Sequence, residues 1–322
     1  MLGSALDTAV SSALGSAGVK RLGSFAATLM EPPPGLEFDY SQPPGTPALV
    51  GADSLSWRVF KNPVALFAGG VAAVILELAE PSVRAGVWNH SGFRRDPGLR
   101  LRRTGAAAMM TVYGPRPAAE AMIARVVAMH EQVRGIDTAG RAYHANDQRL
   151  LDWVQATAAY GFIHAYHAYA TPLTCTERSR IFAEGQEAAR LYGALGAPAS
   201  LADWEALLAR TGPSLEPSPV IGEFISIMRR APILPLALRP LQRLMVSAAI
   251  DIVPEELRGR LGLCSQGLSA PERLLVKALG ATGERLPLEA AAPAQSCLRM
   301  GLPAAWLYRK TARSDPWLDR RR

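Results

Sequence analysis

The run Asn62–Pro81, NPVALFAGGVAAVILELAEP, is the most apolar stretch of the chain and constrains its fold more than any other. A stretch of this kind has to leave water, inside either a protein core or a bilayer. It is short for a membrane-spanning helix, contains Gly69–Gly70, and carries Glu77 and Glu80 near its end. The run therefore predicts a buried core helix. Glu77 and Glu80 are candidates for a carboxylate base, although an exposed helix end is the plainer expectation for both.

The sequence around that run also reads as helices. Asp96 is a good N-cap and Pro97 a good first residue, so a helix begins there. Arg100, Arg103 and Thr104 then share one face at spacings of three and four. Arginines turned inward from an Ala/Met-rich helix need anionic or polar partners, whereas a solvated arginine-rich face satisfies the same spacing. The next helix, PAAEAMIARVVAMHEQVRG, is predicted from Pro117, which suits a first turn, to Gly135, which suits a left-handed stop. Ile123, Val127, His130 and Arg134 would share its face. A histidine on such a face can ligate a cofactor metal while an arginine one turn on pairs with a cofactor acid. On spacing alone, His130 is equally readable as a satisfied core or surface residue.

A third strong helix is predicted over Asp147–Tyr169, capped by Asp147, with Leu150, Leu151, Val154, Ala158, Gly161 and Phe162 in helical register. Its second half holds His164 and His167, which could share a metal, reach a pocket or simply pack. Thr157 is a candidate pocket hydroxyl. Further helices are predicted over Thr174–Leu195, Leu201–Arg210, Ser218–Arg229, Leu236–Ile252, Pro271–Leu279 and Ser296–Arg309. No period-2 runs of β-branched residues occur, which leaves no room for a sheet of any size. The fold class is all-α. An N-terminal arm over 1–45, with a helix within Leu6–Leu29 and then PPPG and PPG turns, precedes a helical domain over 46–285. The last segment, 286–322, ends in DPWLDRRR.

Several function classes fall away. The net charge of +7 is scattered, without a Lys/Arg patch interleaved with aromatics, so nucleic acid is not an expected partner. The charge leaves room for contact with an anionic membrane surface. Cys175, Cys264 and Cys297 are far apart, which excludes a local zinc site and a CxxCH haem attachment. There is no ExxH, HExxH, Walker loop, GxGxxG or nucleophile elbow. The start of the chain lacks the basic residues and continuous apolar core of a secretory signal, so a cytoplasmic protein is expected.

Short motifs in a fixed order carry a resemblance. They are HSGF at His90–Phe93, RLRRT at Arg100–Thr104, TVYG at Thr111–Gly114, MHEQVRG at Met129–Gly135 and YHANDQRLLDWVQAT at Tyr143–Thr157. LYGALGAP (Leu191–Pro198) and IVPEELRGRLGL (Ile252–Leu263) follow. Together they resemble the MpaB-type and rubber oxygenases, the latex-clearing protein family, over roughly Leu55 to Leu263. The resemblance implies a globin-like helical bundle around a buried, non-covalent haem b, with His130 as the proximal iron ligand. It implies that Arg100 and Thr104 are the essential arginine and threonine of the distal side. Where rubber oxygenases carry a lysine before that threonine, this chain has Arg103, which stays charged and cannot serve as a reversible iron ligand. Arg103 and Arg134 complete the expected cofactor-binding set, with Arg134 paired to a propionate. Some relatives carry histidine near Glu80 and Gln155 and arginine near His144, so the carry-over stops at the residues named. The implied activity is oxidation or cleavage of a C=C bond by dioxygen in a hydrophobic, isoprenoid-like or lipid-like substrate. The alternative is a helical haem- or lipid-binding protein without catalysis.

Overall fold

Asn62 starts the element on which the others pack. In the computed structural model, which describes residues 22–309 together with Gly18 and Lys20, its side-chain oxygen accepts from the backbone N–H groups of Val64 and Ala65 at 3.1 and 3.2 Å. Pro63 occupies the first turn, and the helix runs Pro63–Ala79 with its apolar residues buried almost throughout. No single helix among the described residues is long and apolar enough to cross a membrane. The predicted core helix is the one observed.

Its main partner is the helix Gln148–Tyr169. The two approach at their glycines: a Cβ on Gly69 would lie 2.8 Å from the Gly161 carbonyl oxygen, and one on Gly161 would strike the Gly69 carbonyl. Only residues without a side chain permit that crossing. Around the pair pack the helices Arg239–Asp251, Pro219–Arg230 and Ala270–Gly283. Buried aromatic donors tie the layers together: Trp153 Nε1 donates to the Leu76 carbonyl (3.2 Å), Tyr160 Oη to Ile252 (2.8 Å) and Tyr169 Oη to Ala248 (2.9 Å). Glu284, after the Ala270–Gly283 helix, accepts from Asn62, Tyr166 and buried Lys61, so the one buried ammonium of this network is paired.

The chain is helical apart from one antiparallel hairpin among the described residues, β1 (Arg134–Ile136) paired with β2 (Ala142–His144). Most of the Leu6–Leu29 prediction lies outside the described residues; 22–30 is helical, and no regular element follows before Leu55. Two predicted spans are corrected. Thr174–Leu195 divides at Gly185 into Cys175–Glu184 and Gln186–Leu191, glycine being a poor helix residue. Ser296–Arg309 is a helix Ala292–Arg299, a turn with Gly301 at φ 71°, and a single 3₁₀ turn Trp306–Tyr308.

Glu80 is not on an exposed helix end. Pro81 begins a new helix, Pro81–His90, bent 112° from the first. The junction is buried: Glu80 is fully covered, caps the new helix by accepting from Val83 N at 2.7 Å, and pairs with Arg149 at 2.8 Å.

Candidate functional site

The two central helices are not covered along their whole length. Gly70, Val74 and Glu77 on one are half-buried at helical spacing between buried neighbours, and Val154, Ala158 and Phe162 on the other are half-buried at the same spacing, with Gln155 and Ala159 beside them half-buried as well. A stripe like this on the innermost helices of a fold is a candidate wall for a ligand crevice. Its other side involves the helix Pro97–Tyr113, begun by Asp96 Oδ1 accepting from Leu99 N at 2.8 Å. Only the C-terminal end of that helix is buried, through Met109, Val112 and Tyr113, and no residue from Pro97 to Ala108 is. Tyr113 fixes the end: its hydroxyl donates to the Trp57 carbonyl (2.6 Å) and its own carbonyl accepts from Ser296 and Arg299. Leu101, half-buried, packs against the main core, as do Val74, Val154 and Phe162. The helix is thus anchored at one end and stands off the core at the other.

Arg100 and Glu77 act on each other through their charges across this space. Glu77 is walled in by protein yet only partly covered, as a side chain facing an internal crevice would be. Burial pushes its carboxyl up to about 7, and the Arg100 charge pulls it back. Burial likewise disfavours the Arg100 charge, Glu77 supports it, and Arg103 opposes it. Arg100 donates to the Thr104 hydroxyl one turn on, and Thr104 donates to the Arg100 carbonyl at 3.0 Å. The two residues expected on the distal side are therefore bonded to each other. Arg103 is exposed and reaches Arg100 only through its charge.

His130 is the last residue of the helix Arg116–His130 and is half-buried. Burial lowers its pKa, Asn146 opposes that shift, and the Arg100 and His144 charges reinforce it. Burial thus favours the neutral imidazole, the form that can ligate a metal. Its Nδ1 is buried with no hydrogen-bond partner. His130, Arg100 and Glu77 thus form one electrostatically linked group drawn from three helices.

Arg134 does not share a helical face with His130. The helix ends at His130, the Val133 N–H turns back to the His130 carbonyl at 2.9 Å, and Arg134 enters β1 opposite His144. Gly135 is not in the left-handed conformation. It is needed for a close approach, because a Cβ there would lie 3.0 Å from the Tyr143 hydroxyl. Arg134 is exposed and lines an open depression on the hairpin with Ile136, Tyr143, His144 and Asp147. The hairpin is held by buried Asp137, which accepts from Ser82 Oγ, Ala139 N, and Arg141 N and Nε at 2.8–2.9 Å. Burial opposes the Asp137 charge, and these bonds outweigh it, holding the carboxyl at about 2.

The remaining candidates lie elsewhere. His164 stacks on Tyr160 at 3.9 Å, and burial drives its pKa down to about 4. His167 Nδ1 accepts from Leu173 N at 2.9 Å. Both sense Arg178 rather than Arg100. Thr157 is buried and returns its hydroxyl to the Val154 carbonyl at 3.0 Å. Among the described residues no group of three or more His, Cys, Asp or Glu could hold a metal. A cavity of about 190 Å³ lined by Lys61, Tyr166, Glu284 and Tyr308 includes none of Glu77, Arg100 or His130. Glu77 is the candidate carboxylate base of the sequence, whereas Asn146 is not singled out there. Glu77 was visible as a carboxylate on an apolar helix, and Asn146 lies inside the YHANDQR motif.

No curated protein and no solved structure matches the chain. The family model described as ER-bound oxygenase mpaB/B'/Rubber oxygenase, catalytic domain, matches residues 57–283. That span is well over half of the chain and takes in every helix of the crevice together with the hairpin. The chain belongs to the mpaB/rubber oxygenase catalytic-domain family.

Proposed function

We propose that this protein is a haem-b-dependent oxygenase that uses dioxygen to oxidise or cleave a C=C bond in a hydrophobic, isoprenoid-like or lipid-like substrate. The observation that carries this reading is the linkage of a neutral, half-buried His130 to Arg100 beside an apolar-walled crevice. The residues present fit the cofactor. A single half-buried imidazole would suit a haem ligand, and the half-buried Gly70, Val74, Val154, Ala158 and Phe162 would suit an apolar macrocycle. Arg103, exposed beside Arg100, is available to a carboxylate at the crevice mouth. Arg134, on the hairpin, would reach a propionate only from outside the helix that carries His130.

When bound, haem supplies the redox-active iron that dioxygen chemistry requires. The chain supplies binding, orientation and charge. His130 would hold the metal. Arg100, desolvated and oriented by Thr104, offers guanidinium donors that favour negative charge developing in front of it. Glu77, titrating near neutrality, can hold or release a proton at its carboxyl beside Arg100. The apolar walls exclude water and accept an unsaturated chain.

The test is turnover of a panel of unsaturated isoprenoids and lipids under oxygen-18 gas, with carbonyl products reduced at once to prevent exchange with water. The expected result is labelled product that is absent without dioxygen. Haem-loaded protein that turns over no alkene, or product that forms equally without dioxygen, would instead support a non-catalytic haem-binding protein.

A further inference from the structure

Two buried polar atoms near the end of the Arg116–His130 helix have no partner, Nδ1 of His130 and Oδ1 of Asn146, and the Asn146 amide is close enough to act on the His130 ring. Leaving both unpaired costs free energy twice, so the arrangement calls for an explanation. The amide of Asn146 is not free to turn. Its Nδ2 donates to the Val127 carbonyl at 3.2 Å and to Glu131 Oε1 at 2.6 Å, two acceptors that flank His130 on its own helix end. With the nitrogen committed to those acceptors, the oxygen is the end of the amide left for the imidazole. The backbone of Asn146 is fixed too, since its N–H donates to His144 Nδ1 at 3.2 Å. His144 itself sits at the end of β2, where its Nε2 approaches the Glu131 carbonyl at 3.3 Å. The turn after the hairpin therefore places the Asn146 amide against the end of the helix that carries His130. Asn146 already favours the protonated ring, although the pair stands short of hydrogen-bond geometry.

We propose that Asn146 is a positioning residue whose Oδ1 takes the Nδ1 proton of His130, so that Nε2 carries the free lone pair. This rests on the reading of His130 as the cofactor's ligand, and it assigns which nitrogen does the ligating. An imidazole with Nδ1–H held by an amide carbonyl is fixed in tautomer and ring orientation and is a stronger donor at Nε2. Without that acceptor, neutral histidine in water favours the opposite tautomer, with the proton on Nε2. The motif NDQ at Asn146–Gln148 thereby acquires a role beyond starting a helix: Asp147 binds the His144 N–H at 2.9 Å and holds the turn, and Asn146 addresses the ligand.

The test begins with the cofactor-free wild-type chain and needs no variant. With nitrogen-15 histidine labelling, and the His130 signal assigned by its loss in His130→Ala, the nitrogen shifts above the ring's pKa should show Nδ1–H as the major tautomer. Asn146→Ala should move the population toward Nε2–H. On loading with haem b, Asn146→Ala should bind it roughly 10–100-fold more weakly and lower the iron–histidine stretching frequency of the ferrous form. Predominant Nε2–H in the wild type would overturn the proposal, as would a tautomer and iron–histidine band unchanged by Asn146→Ala. Loss of haem in His130→Ala together with either result would reject the role of Asn146 and leave the ligand reading intact. Retention of haem in His130→Ala would reject the ligand reading, and the wild-type tautomer would then still decide whether Asn146 accepts from the ring.

Discussion

Glu77 shows how a residue is changed by what faces it. On the sequence it is one acid near the end of an apolar run; in the fold it is walled by protein, facing Arg100, with its carboxyl raised to about 7 by burial. Its folded pKa stands above the ordinary 4.5, so between those values the folded chain keeps a proton that the unfolded chain has lost. Stability of the cofactor-free protein therefore has a component that falls as pH rises through that window. Glu77→Gln should remove this component, read as urea unfolding at pH 4.5 to 7.5; a pH slope equal to that of the wild type would contradict the burial assigned here. Arg100 and Thr104 are bonded to each other and not to any group of the Arg116–His130 helix. Their replacement by alanine should keep the haem and cost at least about 100-fold in turnover, the scale of losing one aimed donor to developing charge. Haem loss equal to that in His130→Ala would put them on the ligand's side instead. The motif order singles out His130, Arg100 and Thr104, and the structure brings His130 within reach of the Arg100 charge and bonds Arg100 to Thr104. Arg134 was misread because MHEQVRG continues a helical spacing that the chain abandons at His130, where pairing with β2 and the Tyr143 ring against Gly135 take over.

Helices were legible at the scale of elements wherever local chemistry starts them. Asn62, Asp96, Thr174 and Ser200 each accept from the first turn of the helix that they precede, and Pro63 and Pro97 follow two of them. The hairpin was not legible. Its strands are three residues each, too short for an alternating pattern, and what stabilises it is Asp137 gathering donors from Ser82 and its own loop. The bend at Glu80 was hidden for a similar reason, since a carboxylate that caps one helix and pairs with Arg149 on another is read only in three dimensions. The crossing of the two central helices is the element-scale feature with the sharpest consequence. Gly69→Ala places a methyl 2.8 Å from the Gly161 carbonyl and should destabilise by about 1–3 kcal/mol or more through forced separation of the pair. Because these helices form one crevice wall, the variant should also weaken haem uptake. Gly70→Ala, whose nearest neighbour is the Phe162 ring at 3.8 Å, should be tolerated in urea unfolding, and equal loss in both variants would contradict a backbone contact at Gly69.

At the scale of the molecule, the described residues form a closely packed part and a part with few buried residues. Helices Pro63–Ala79, Gln148–Tyr169, Arg239–Asp251 and Ala270–Gly283 share one core, while Pro97–Tyr113 and Arg116–His130 bury few residues each. Arg299, almost fully buried, binds the carbonyls of Tyr40, Thr46 and Tyr113 and so clamps the arm and the C-terminal helix onto the anchored end of Pro97–Tyr113. That leaves the Arg100 end of the helix over the crevice, with apolar surface still to be covered. A bound apolar group would complete this part of the core, and ligation by one histidine would fix it there. The absorption spectrum of the purified protein, read beside that of His130→Ala, tests this most directly. The wild type should show a Soret band and yield extractable haem b, either as isolated or after haem is added, and His130→Ala should lose most of it while keeping wild-type helix content by circular dichroism. A colourless wild type that stays colourless in the presence of haem, or a folded His130→Ala with an unchanged Soret band, would contradict it.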